Sequence, residues 1–406
     1  MSFLDEVEFR PIKTSERREF FNLERYVFAD ERQLTEEDEA ADPLRPEMTT
    51  VAFHNGRIIA TSGGFPFRLK LNGNTIRADG VTSVGTDPQF RRRGLVRRMM
   101  TIRFEQAYEN NVAASILWAT LGAIYQRFGY GLASSAYKCK FDPRFCEFQF
   151  DEPEVGSCVR SDRNSSVPIL KDLYEQCIAD ANLQIHRHDV FWQRAYLDKK
   201  CKLHVAIHYD EKGVADGFVS YRLSESRDKI PGPNQKIFVR DFFALNRGAY
   251  RGLWNYIRSH DLVVSVEMWA PIDDPAFLML LEPRQLHASW AEGLWLRAVN
   301  IKQLTGSRPY PCQANVVFEI PADRECPWNV GTYLLETDGK DNSVTTTKQS
   351  ADFRIDINGF ATLLTGQNNL TELEACGRAA ILNRVRESEL NQLFATKSKP
   401  FCNDGF

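Results

Sequence analysis

The stretch that decides the fold is Val81-Thr82-Ser83-Val84-Gly85-Thr86-Asp87-Pro88-Gln89-Phe90-Arg91-Arg92-Arg93-Gly94-Leu95-Val96-Arg97-Arg98. A strand ends within it, because Pro88 cannot donate to a β-ladder. A basic turn containing Gly94 follows and opens a helix. The apolar positions of that helix recur at helical spacing, at Leu95, Met99, Ile102 and Ala107. The stretch therefore predicts a strand, a tight turn and a helix.

The turn and the start of this helix are suited to binding an anion. The first N–H groups of a helix have no partner within it, and the helix dipole adds partial positive charge there. Gly94 lets the backbone approach a bulky ligand, and the neighbouring arginines add positive potential. The context predicts a bound pyrophosphate. For the arginine run taken alone, a solvated helix start or a nucleic-acid patch is the alternative.

The spacing of glycines distinguishes among loops that bind pyrophosphate. A dinucleotide site requires G-x-G-x-x-G and a P-loop requires G-x-x-x-x-G-K-S/T, and this stretch has neither. The segment Arg91-x-x-Gly94-x-Val96 instead resembles the R/Q-x-x-G-x-G/A loop of GNAT-type acetyltransferases, with Val at the last position.

The second informative stretch is Gly122-Ala123-Ile124-Tyr125-Gln126-Arg127-Phe128-Gly129-Tyr130-Gly131. In GNAT enzymes, which the chain resembles, a short helix here carries a Tyr whose hydroxyl faces the cofactor sulfur. A phenol with a pKa near ~10 is protonated at pH 7 and can protonate a leaving thiolate, whose thiol has a pKa of about 8.5. Tyr125 is the candidate general acid, and a core tyrosine is the alternative.

Along the chain, strands and helices alternate over residues 1–150, which indicates an α/β fold around one mixed sheet. A Pro-, Gly- and Ser-containing acidic segment at 151–165 is typical of a linker. The same pattern then repeats as far as the strand Gly293–Arg297, and a separate α+β segment follows. We predict domains at 1–150, 151–297 and 298–406, with Ala133–Phe141 as the last strand of the first.

Composition narrows the class of protein. Of the 406 residues, 51 are Lys or Arg and 54 are Asp or Glu, so the net charge of -3 argues against a nucleic-acid coat. The acidic N-terminus lacks an apolar signal core, and no apolar run approaches the ~20 residues that span a bilayer. We therefore expect no membrane and no nucleic-acid partner.

The cysteines and histidines indicate neither disulfides nor a metal. The nine cysteines, among them Cys201, are scattered without a C-x-x-C pair. They predict reduced thiols, mostly in the core, of a cytoplasmic protein. His204 and His208 lie on a predicted strand, where their spacing separates them by about 13 Å. No metal site is predicted.

Several motifs together extend the resemblance to the whole chain, which is similar to the enhanced intracellular survival (Eis) family of bacterial GNAT acetyltransferases. The motifs that carry it are Val84-Gly85-Thr86-x-Pro88-x-x-Arg91-Arg92-Arg93-Gly94-Leu95, Ile124-Tyr125-x-Arg127-Phe128-Gly129-Tyr130-Gly131, Val239-Arg240-Asp241, Asp273-Asp274-Pro275, Gly293-Leu294-Trp295-Leu296-Arg297 and Asn403-Asp404-Gly405-Phe406. The resemblance implies tandem GNAT domains and a sterol-carrier-protein-like domain, assembled as a homo-hexamer. It implies acetyl transfer from acetyl-CoA to amines, among them aminoglycosides, polyamines and lysine side chains.

The resemblance also assigns roles to residues. Tyr125 would be the general acid, and the α-carboxylate of Phe406 would be the general base. Burial or a water relay would have to raise the basicity of that carboxylate, which would also attract a cationic amine. The acetyl-CoA site would comprise Val84, Gly85 and Thr86 for the pantetheine arm, Arg92, Arg93, Gly94, Leu95, Val96 and Arg97 for the pyrophosphate, and Thr120 and Leu121 beyond the next strand. Leu121 would contribute backbone contact only.

Some alternatives stay open at this point. The second domain keeps only Arg251-Gly252-Leu253 of the loop and is predicted to be inactive. A non-catalytic binding protein that uses the C-terminal domain is the alternative function. The acidic segment 30–42 is either a solvated loop or a rim that collects cationic amines.

Overall fold

The structure is a computed structural model that describes residues 3–197, 202–225 and 232–406. Its residues form two compact units. The first comprises Met1–Ala133, Leu294–Thr396 and Gly405–Phe406, and the second comprises Ser134–Gly293 and Lys397–Asp404. Cys201 lies outside the described residues.

The first unit contains a seven-stranded sheet that is antiparallel except at one pair. In spatial order its strands are Glu8–Arg10, Val51–His54, Arg57–Leu71, Asn74–Thr86, Ala114–Trp118, Leu294–Ala298 and Gly131–Leu132. The one parallel pair joins Asn74–Thr86 to Ala114–Trp118. Its helices are Arg17–Val27, Glu36–Ala41, Leu95–Glu109 and Gly122–Gln126, with 3-10 turns at Phe3–Glu6, Thr14–Glu16, Pro46–Met48 and Pro88–Phe90.

Two turns set the register of this sheet. Asn55 and Gly56 both have positive φ, of 49° and 75°, and connect Val51–His54 to Arg57–Leu71. Asn72 and Gly73 also have positive φ, of 50° and 98°, and connect Arg57–Leu71 to Asn74–Thr86. Positive φ at both central residues matches the right-handed twist of a hairpin.

The first unit also contains a five-stranded sheet formed by the C-terminal third of the chain. In spatial order its strands are Asn342–Thr346, Gly331–Thr337, Ala314–Ile320, Phe353–Ile355 and Ala379–Ile381. Its helices are Ile301–Ser307, Ile357–Leu364, Leu370–Ala375 and Glu387–Leu393, with 3-10 turns at Pro327–Asn329 and Arg384–Arg386. This segment is the α+β domain that the sequence predicts.

The second unit repeats the plan of the first seven-stranded sheet. In spatial order its strands are Ser289–Glu292, Ser135–Phe141, Val263–Pro271, Gln235–Ala244, Ala215–Glu225, Leu203–Tyr209 and Ser157–Ser161. The parallel pair is again in the middle, between Gln235–Ala244 and Val263–Pro271. Its helices are Arg163–Cys177, Asp189–Trp192, Arg247–Arg258 and Ala276–Met279, with a π-helical turn at Gln193–Leu197 and 3-10 turns at Pro143–Phe145 and Pro283–Leu286.

One strand of each large sheet comes from beyond the predicted boundary. Ser135–Phe141, predicted in the first domain, pairs with Val263–Pro271 in the second unit. Leu294–Ala298, predicted to end the second domain, pairs with Ala114–Trp118 in the first unit. The predicted boundaries at 150 and 297 therefore do not coincide with the division in the structure. The apolar sequence of a strand indicates that the strand is buried, but it does not indicate which sheet the strand joins.

Other expectations concern thiols, metal and membrane. All eight described cysteines are free, and four of them are buried, namely Cys139, Cys146, Cys326 and Cys402. Within 3–197, 202–225 and 232–406, no group of three His, Cys, Asp or Glu side chains could hold a metal ion. None of the helices in the same ranges has the length and apolar character needed to cross a bilayer.

A fully buried arginine connects the helices of the C-terminal domain. Arg308 Nε donates to the carbonyl of Leu364 at 2.8 Å, and its NH2 donates to those of Phe394 at 2.7 Å and Ala395 at 3.0 Å. Leu364 is the last residue of the helix Ile357–Leu364, and Phe394 and Ala395 directly follow the helix Glu387–Leu393. All three carbonyls therefore lie at helix C-termini, which carry partial negative charge. Burial lowers the pKa of Arg308. The guanidinium therefore satisfies carbonyls that would otherwise lack partners.

We predict that Arg308→Met destabilises the protein, because several buried carbonyls lose their donor. The expected cost is on the order of 3 kcal/mol, or a fall in Tm of roughly 6–12 °C. Thermal unfolding followed by circular dichroism measures it. Arg354→Met is the control, because Arg354 is half exposed beside Glu319 and should move Tm little. Equal Tm values for Arg308→Met and the parent chain would contradict this account.

Candidate active site

The candidate site opens where the two parallel strands of the first unit separate. Asn74–Thr86 and Ala114–Trp118 pair only from Ala78↔Ala114 to Gly80↔Ile116, although both strands continue further. Beyond that point the register of Asn74–Thr86 with Arg57–Leu71 shifts, and Ser83 has a φ of 55°. Such a β-bulge bends the strand and leaves a residue outside the ladder. The end of the strand is therefore available to a ligand.

A cavity of about 590 Å³ lies at this opening. It is lined by Val27, Phe28, Val84, Gly85, Thr86, Phe90, Arg91, Arg92, Gly94, Leu95, Val96, Arg97, Thr120, Leu121, Ile124, Tyr125, Arg127 and Phe128. The structure thus brings together all the predicted acetyl-CoA residues except Arg93, and it adds Tyr125. The residues predicted to contact the pantetheine arm, the residues predicted to bind the pyrophosphate and the candidate general acid all line this cavity, although they come from separate motifs.

The helix N-terminus at this cavity has no cap of its own. Leu95–Glu109 begins after Gly94, no side chain accepts from its first turn, and that turn contains no acidic residue. The first bond of the helix runs from Arg98 N to the Gly94 carbonyl at 3.0 Å. Its earlier N–H groups and its dipole are therefore available to a pyrophosphate.

The backbone conformation of Gly94 favours glycine. Its φ is 84°, in the left-handed region that costs other residues conformational energy. A Cβ there would meet only Leu4, at 3.5 Å, among the atoms of the protein. The close approach of a ligand to Gly94 stays a prediction.

The arginines of the loop have distinct surroundings. Arg92 is exposed at the cavity. Arg93 does not line it, because its guanidinium lies over the ring of Phe3, 4.7 Å from the centroid. Arg97 lines it but forms an ion pair with buried Glu325, which also accepts from Thr101 at 3.0 Å. Arg92 therefore offers its side chain to a phosphate, while Arg97 offers its backbone N–H.

Tyr125 lies on the short helix Gly122–Gln126 and lines the cavity. Its ring meets that of Tyr130 edge-on, with centroids 5.8 Å apart. Burial raises the pKa of Tyr125 to about 12, so the hydroxyl keeps its proton at neutral pH. In the part of the chain that the structure describes, no residue hydrogen-bonds this hydroxyl, which leaves it free to donate to a ligand.

The residues after Tyr125 are fixed by close packing. Gly129 has a φ of 84°, and a Cβ there would lie 2.8 Å from Nε of Arg297. Arg297 is fully buried and donates to Asp323 at 2.5 Å. The Tyr130 hydroxyl is 2.7 Å from Ser115 Oγ. The motif Phe128-Gly129-Tyr130-Gly131 thus holds the Tyr125 segment against the sheet.

Phe406 does not line this cavity. Its ring packs edge-on against Phe67, with centroids 4.8 Å apart. On the same side lies Gly80, since a Cβ there would come 3.2 Å from the Phe406 ring. Gly80 is the last paired residue before the parallel strands separate. Phe406 therefore lies at the inner end of the opening, and the cofactor cavity lies along the outer part of the strand.

Seven lining residues were not predicted as cofactor-binding or catalytic residues, namely Val27, Phe28, Phe90, Arg91, Ile124, Arg127 and Phe128. From the sequence, the aromatic residues Phe21, Tyr26, Phe28 and Phe65 could line a pocket or belong to the core. Of these four, Phe28 lines the cavity, Phe21 and Phe65 are buried, and Tyr26 is exposed on another surface. The helix Arg17–Val27 brings Val27 and Phe28 to the cavity, and its Glu24 accepts from the Ser83 hydroxyl at 2.5 Å.

In the second unit, the N-terminus of the equivalent helix is capped by a side chain. Arg247–Arg258 connects its two parallel strands, and Asn246 caps the helix by accepting from Ala249 N at 2.9 Å. Asn246 in turn donates to Asp216 at 2.8 Å. A side chain and a neighbouring carboxylate thus occupy the place where an anion would bind.

Sequence comparisons divide the chain into three parts. An acetyltransferase (GNAT) domain model matches residues 8–133, a second acetyltransferase (GNAT) domain model matches 183–298, and a sterol carrier protein domain model matches 301–403. A protein of Streptomyces avermitilis described as an uncharacterized N-acetyltransferase is 28% identical, with 100% of both chains covered. The N-acetyltransferase Eis of Mycobacterium tuberculosis is 27% identical over 80% of this chain and 78% of its own.

Solved structures share the fold. The crystal structure of Eis1 from Mycobacterium abscessus superposes with a TM-score of 0.85 at 24% identity, covering 98% of this chain and 100% of that one. Two GNAT domains, a sterol-carrier-protein-like domain and N-acetyltransferase relatives over most of the length agree with the cavity described above. The chain contains two GNAT acetyltransferase domains and a sterol carrier protein domain, and it is Eis-like in its similarity to N-acetyltransferases over most of its length.

Proposed function

We propose that this enzyme transfers the acetyl group of acetyl-CoA to an amino group of a cationic acceptor, directly, within a ternary complex. The observation that carries the proposal is the convergence on one cavity of the uncapped start of Leu95–Glu109, the Arg92 guanidinium and the Tyr125 hydroxyl. Aminoglycosides, polyamines and lysine side chains are the acceptor classes.

Each part of the cavity fits one part of acetyl-CoA. The N–H groups of Leu95, Val96 and Arg97, with Arg92, would hold the pyrophosphate. The strand end at Val84–Thr86, beyond the last pairing with Ala114–Trp118, would hydrogen-bond the pantetheine arm. Thr120 and Leu121 would contact it from the opposite strand. Bound acetyl-CoA would supply the acetyl group as a thioester.

The proton movements fall to residues at the two ends of the opening. Tyr125, with its pKa raised by burial, would hold a proton at its hydroxyl for the departing sulfur. The α-carboxylate of Phe406 would orient the acceptor ammonium and accept its proton, directly or through water. Its ring contact with Phe67 would hold it beside the inner end of the strand opening. No cysteine lines the cavity, which favours direct transfer over an acyl-enzyme.

Four predictions of the sequence remain proposals. The second unit would be inactive, because Asn246 caps its equivalent helix. The homo-hexamer follows from the resemblance alone, and the cytoplasmic location follows from the scattered cysteines without a C-x-x-C pair. The acidic segment 30–42 would attract cationic acceptors, and several of its carboxylates already have arginine partners, such as Asp30 with Arg32 and Glu39 with Arg18.

We predict that an amine panel detects acetyl-CoA consumption only with cationic acceptors. The panel comprises an aminoglycoside, a polyamine, a lysine peptide and, as a control, an uncharged amide. Free thiol release measures turnover, and mass spectrometry measures acetylated product. Thiol release that no amine accelerates would contradict amine acetylation, and acetyl-CoA that fails to bind in calorimetry would contradict the cofactor assignment.

We predict that Tyr125→Phe lowers kcat by about 10²–10⁴-fold, because the leaving sulfur loses its proton donor. The KM for acetyl-CoA should change little, because the phosphate-binding groups are untouched. Steady-state kinetics with the best acceptor of the panel measures both values. Tyr108→Phe is the control, since Tyr108 is exposed and stacks on Trp328.

The pH profile offers a second check on Tyr125. Because burial raises its pKa to about 12, the hydroxyl stays protonated across pH 6–10. Loss of the acid should therefore not limit kcat on the alkaline side of that range. Full turnover in Tyr125→Phe would remove Tyr125 from the mechanism.

We predict that one glycine added after Phe406 lowers kcat strongly, because the α-carboxylate moves by one residue, about 3.3–3.6 Å. Phe406→Ala is the matched variant, since it keeps a carboxylate at position 406 and removes the ring contact with Phe67. Kinetics on both variants separates the charge from the packing. Full activity in the extended chain would exclude the carboxylate as the base.

A further inference from the structure

We propose that Asn358, in the sterol-carrier-protein-like domain, is a positioning residue for Tyr125. The inference rests on the proposed role of Tyr125 as general acid. It gives the C-terminal domain a part in acetyl transfer that is separate from the carboxylate of Phe406.

The segment that carries Tyr125 needs support from outside. The helix Gly122–Gln126 has five residues, so it forms little more than one turn. So short a helix is not stable by itself, and the carbonyls at its end accept turn bonds, from Phe128 N to Tyr125 at 2.9 Å and from Gly129 N to Gln126 at 3.0 Å. The chain bends back within four residues to reach the strand Gly131–Leu132. A contact from outside that joins both ends of this bend would further restrict the position of Tyr125.

Asn358 fixes both ends with one side-chain amide. Its Nδ2 donates to the carbonyl of Gln126 at 2.9 Å and to the carbonyl of Tyr130 at 2.7 Å. Both hydrogens of the amide are thereby used. The two carbonyls border the bend directly after Tyr125, and Tyr130 is the residue whose ring meets that of Tyr125.

Residues of the strand after the bend and of the Asn358 helix allow the two segments to pack closely. A Cβ on Gly131 would collide with the carbonyl oxygen of Asn358, so glycine is required there. The helix Ile357–Leu364, on which Asn358 lies, is otherwise buried, and Thr365 after it donates to the carbonyl of Ala133 at 3.0 Å. The helix therefore lies fixed along the strand after the bend.

A second contact comes from the same domain. Arg378 donates to Asp356, the cap of the Asn358 helix, at 3.0 Å, and to the side-chain carbonyl of Gln126 at 2.8 Å. Arg378 thereby joins the start of the Asn358 helix to the end of the Tyr125 helix. Asn358 binds backbone and Arg378 binds a side chain, so Asn358 fixes the position of the segment more directly.

The consequence for catalysis is geometric. Proton donation requires the hydroxyl within hydrogen-bond reach of the departing atom, and a displacement of about 1 Å can cost about 10²-fold in rate. Loss of Asn358 leaves the groups around Gly94 and Val84 in place. It should therefore lower kcat and leave the KM for acetyl-CoA nearly unchanged.

The test compares Asn358→Ala with Asn342→Ala in the full chain. Asn342 is a matched control in the same domain, because its Nδ2 also donates to two carbonyls, of Gly306 at 3.1 Å and Arg308 at 2.8 Å. Hydrogen exchange followed by mass spectrometry reports on peptides that span 122–131. Kinetics uses acetyl-CoA and the best acceptor of the amine panel.

We expect faster exchange over 122–131 and a kcat at least about tenfold lower in Asn358→Ala, and neither change in Asn342→Ala. In a Tyr125→Phe background, Asn358→Ala should lower kcat little further, because both act through the same hydroxyl. Unchanged exchange would overturn the contact. Faster exchange with unchanged kcat, or full additivity with Tyr125→Phe, would overturn the positioning role. Failure of Tyr125→Phe itself to lower kcat would instead reject the acid assignment, and the exchange result would still decide the contact.

Discussion

The separation of two parallel strands is the constraint on which the site depends. Asn74–Thr86 and Ala114–Trp118 stop pairing after Gly80↔Ile116, and the bulge at Ser83 turns the first of them away. Ligands in α/β sheets bind beyond the carboxyl ends of neighbouring parallel strands, because loops and helix N-termini converge there. Here Leu95–Glu109 follows one strand and Gly122–Gln126 follows the other. Both the anion-binding N–H groups and the Tyr125 hydroxyl therefore face the same gap.

The C-terminal domain contributes to this arrangement within the first unit. Glu325 pairs with Arg97, Asp323 pairs with Arg297 below Gly129, and Asn358 joins Gln126 to Tyr130. Each contact fixes a loop that lines or supports the cavity. A domain whose fold is that of a sterol carrier thus stabilises the loops of an acetyltransferase site.

Local patterns predicted which residues border the cavity better than they predicted the domain boundaries. The strand, Gly94 and the amphipathic helix are adjacent in sequence, so the helix start at the cavity followed from one stretch. The short helix around Tyr125 also followed from its own residues together with the family resemblance. The exchange of Ser135–Phe141 and Leu294–Ala298 between sheets was missed, because each strand pairs with a partner more than 120 residues away and such pairing leaves no local signal.

The partners of individual arginine side chains could not be predicted from the sequence either. The arginines at 91–103 were treated as one basic group, yet Arg103 is buried and donates to Asp79 at 2.5 Å. Arg93 lies over Phe3 and Arg97 pairs with Glu325, a residue more than 200 positions away. A helical pattern gives the face on which an arginine lies, whereas its partner depends on tertiary packing.

The two large sheets share one plan and differ at the start of the helix between their parallel strands. Both have the same strand order, the same parallel pair and a helix between the paired strands. In the first unit the helix begins after Gly94, which has no side chain, and its first N–H groups are left for a ligand. In the second it begins after Asn246, whose side chain accepts from Ala249 and whose amide is held by Asp216. An internal cap stabilises a helix by about 1 kcal/mol, and a helix without one gives up that stability. The start at Gly94 therefore leaves N–H groups that an anion can satisfy, whereas at Asn246 a side chain of the protein satisfies the equivalent group.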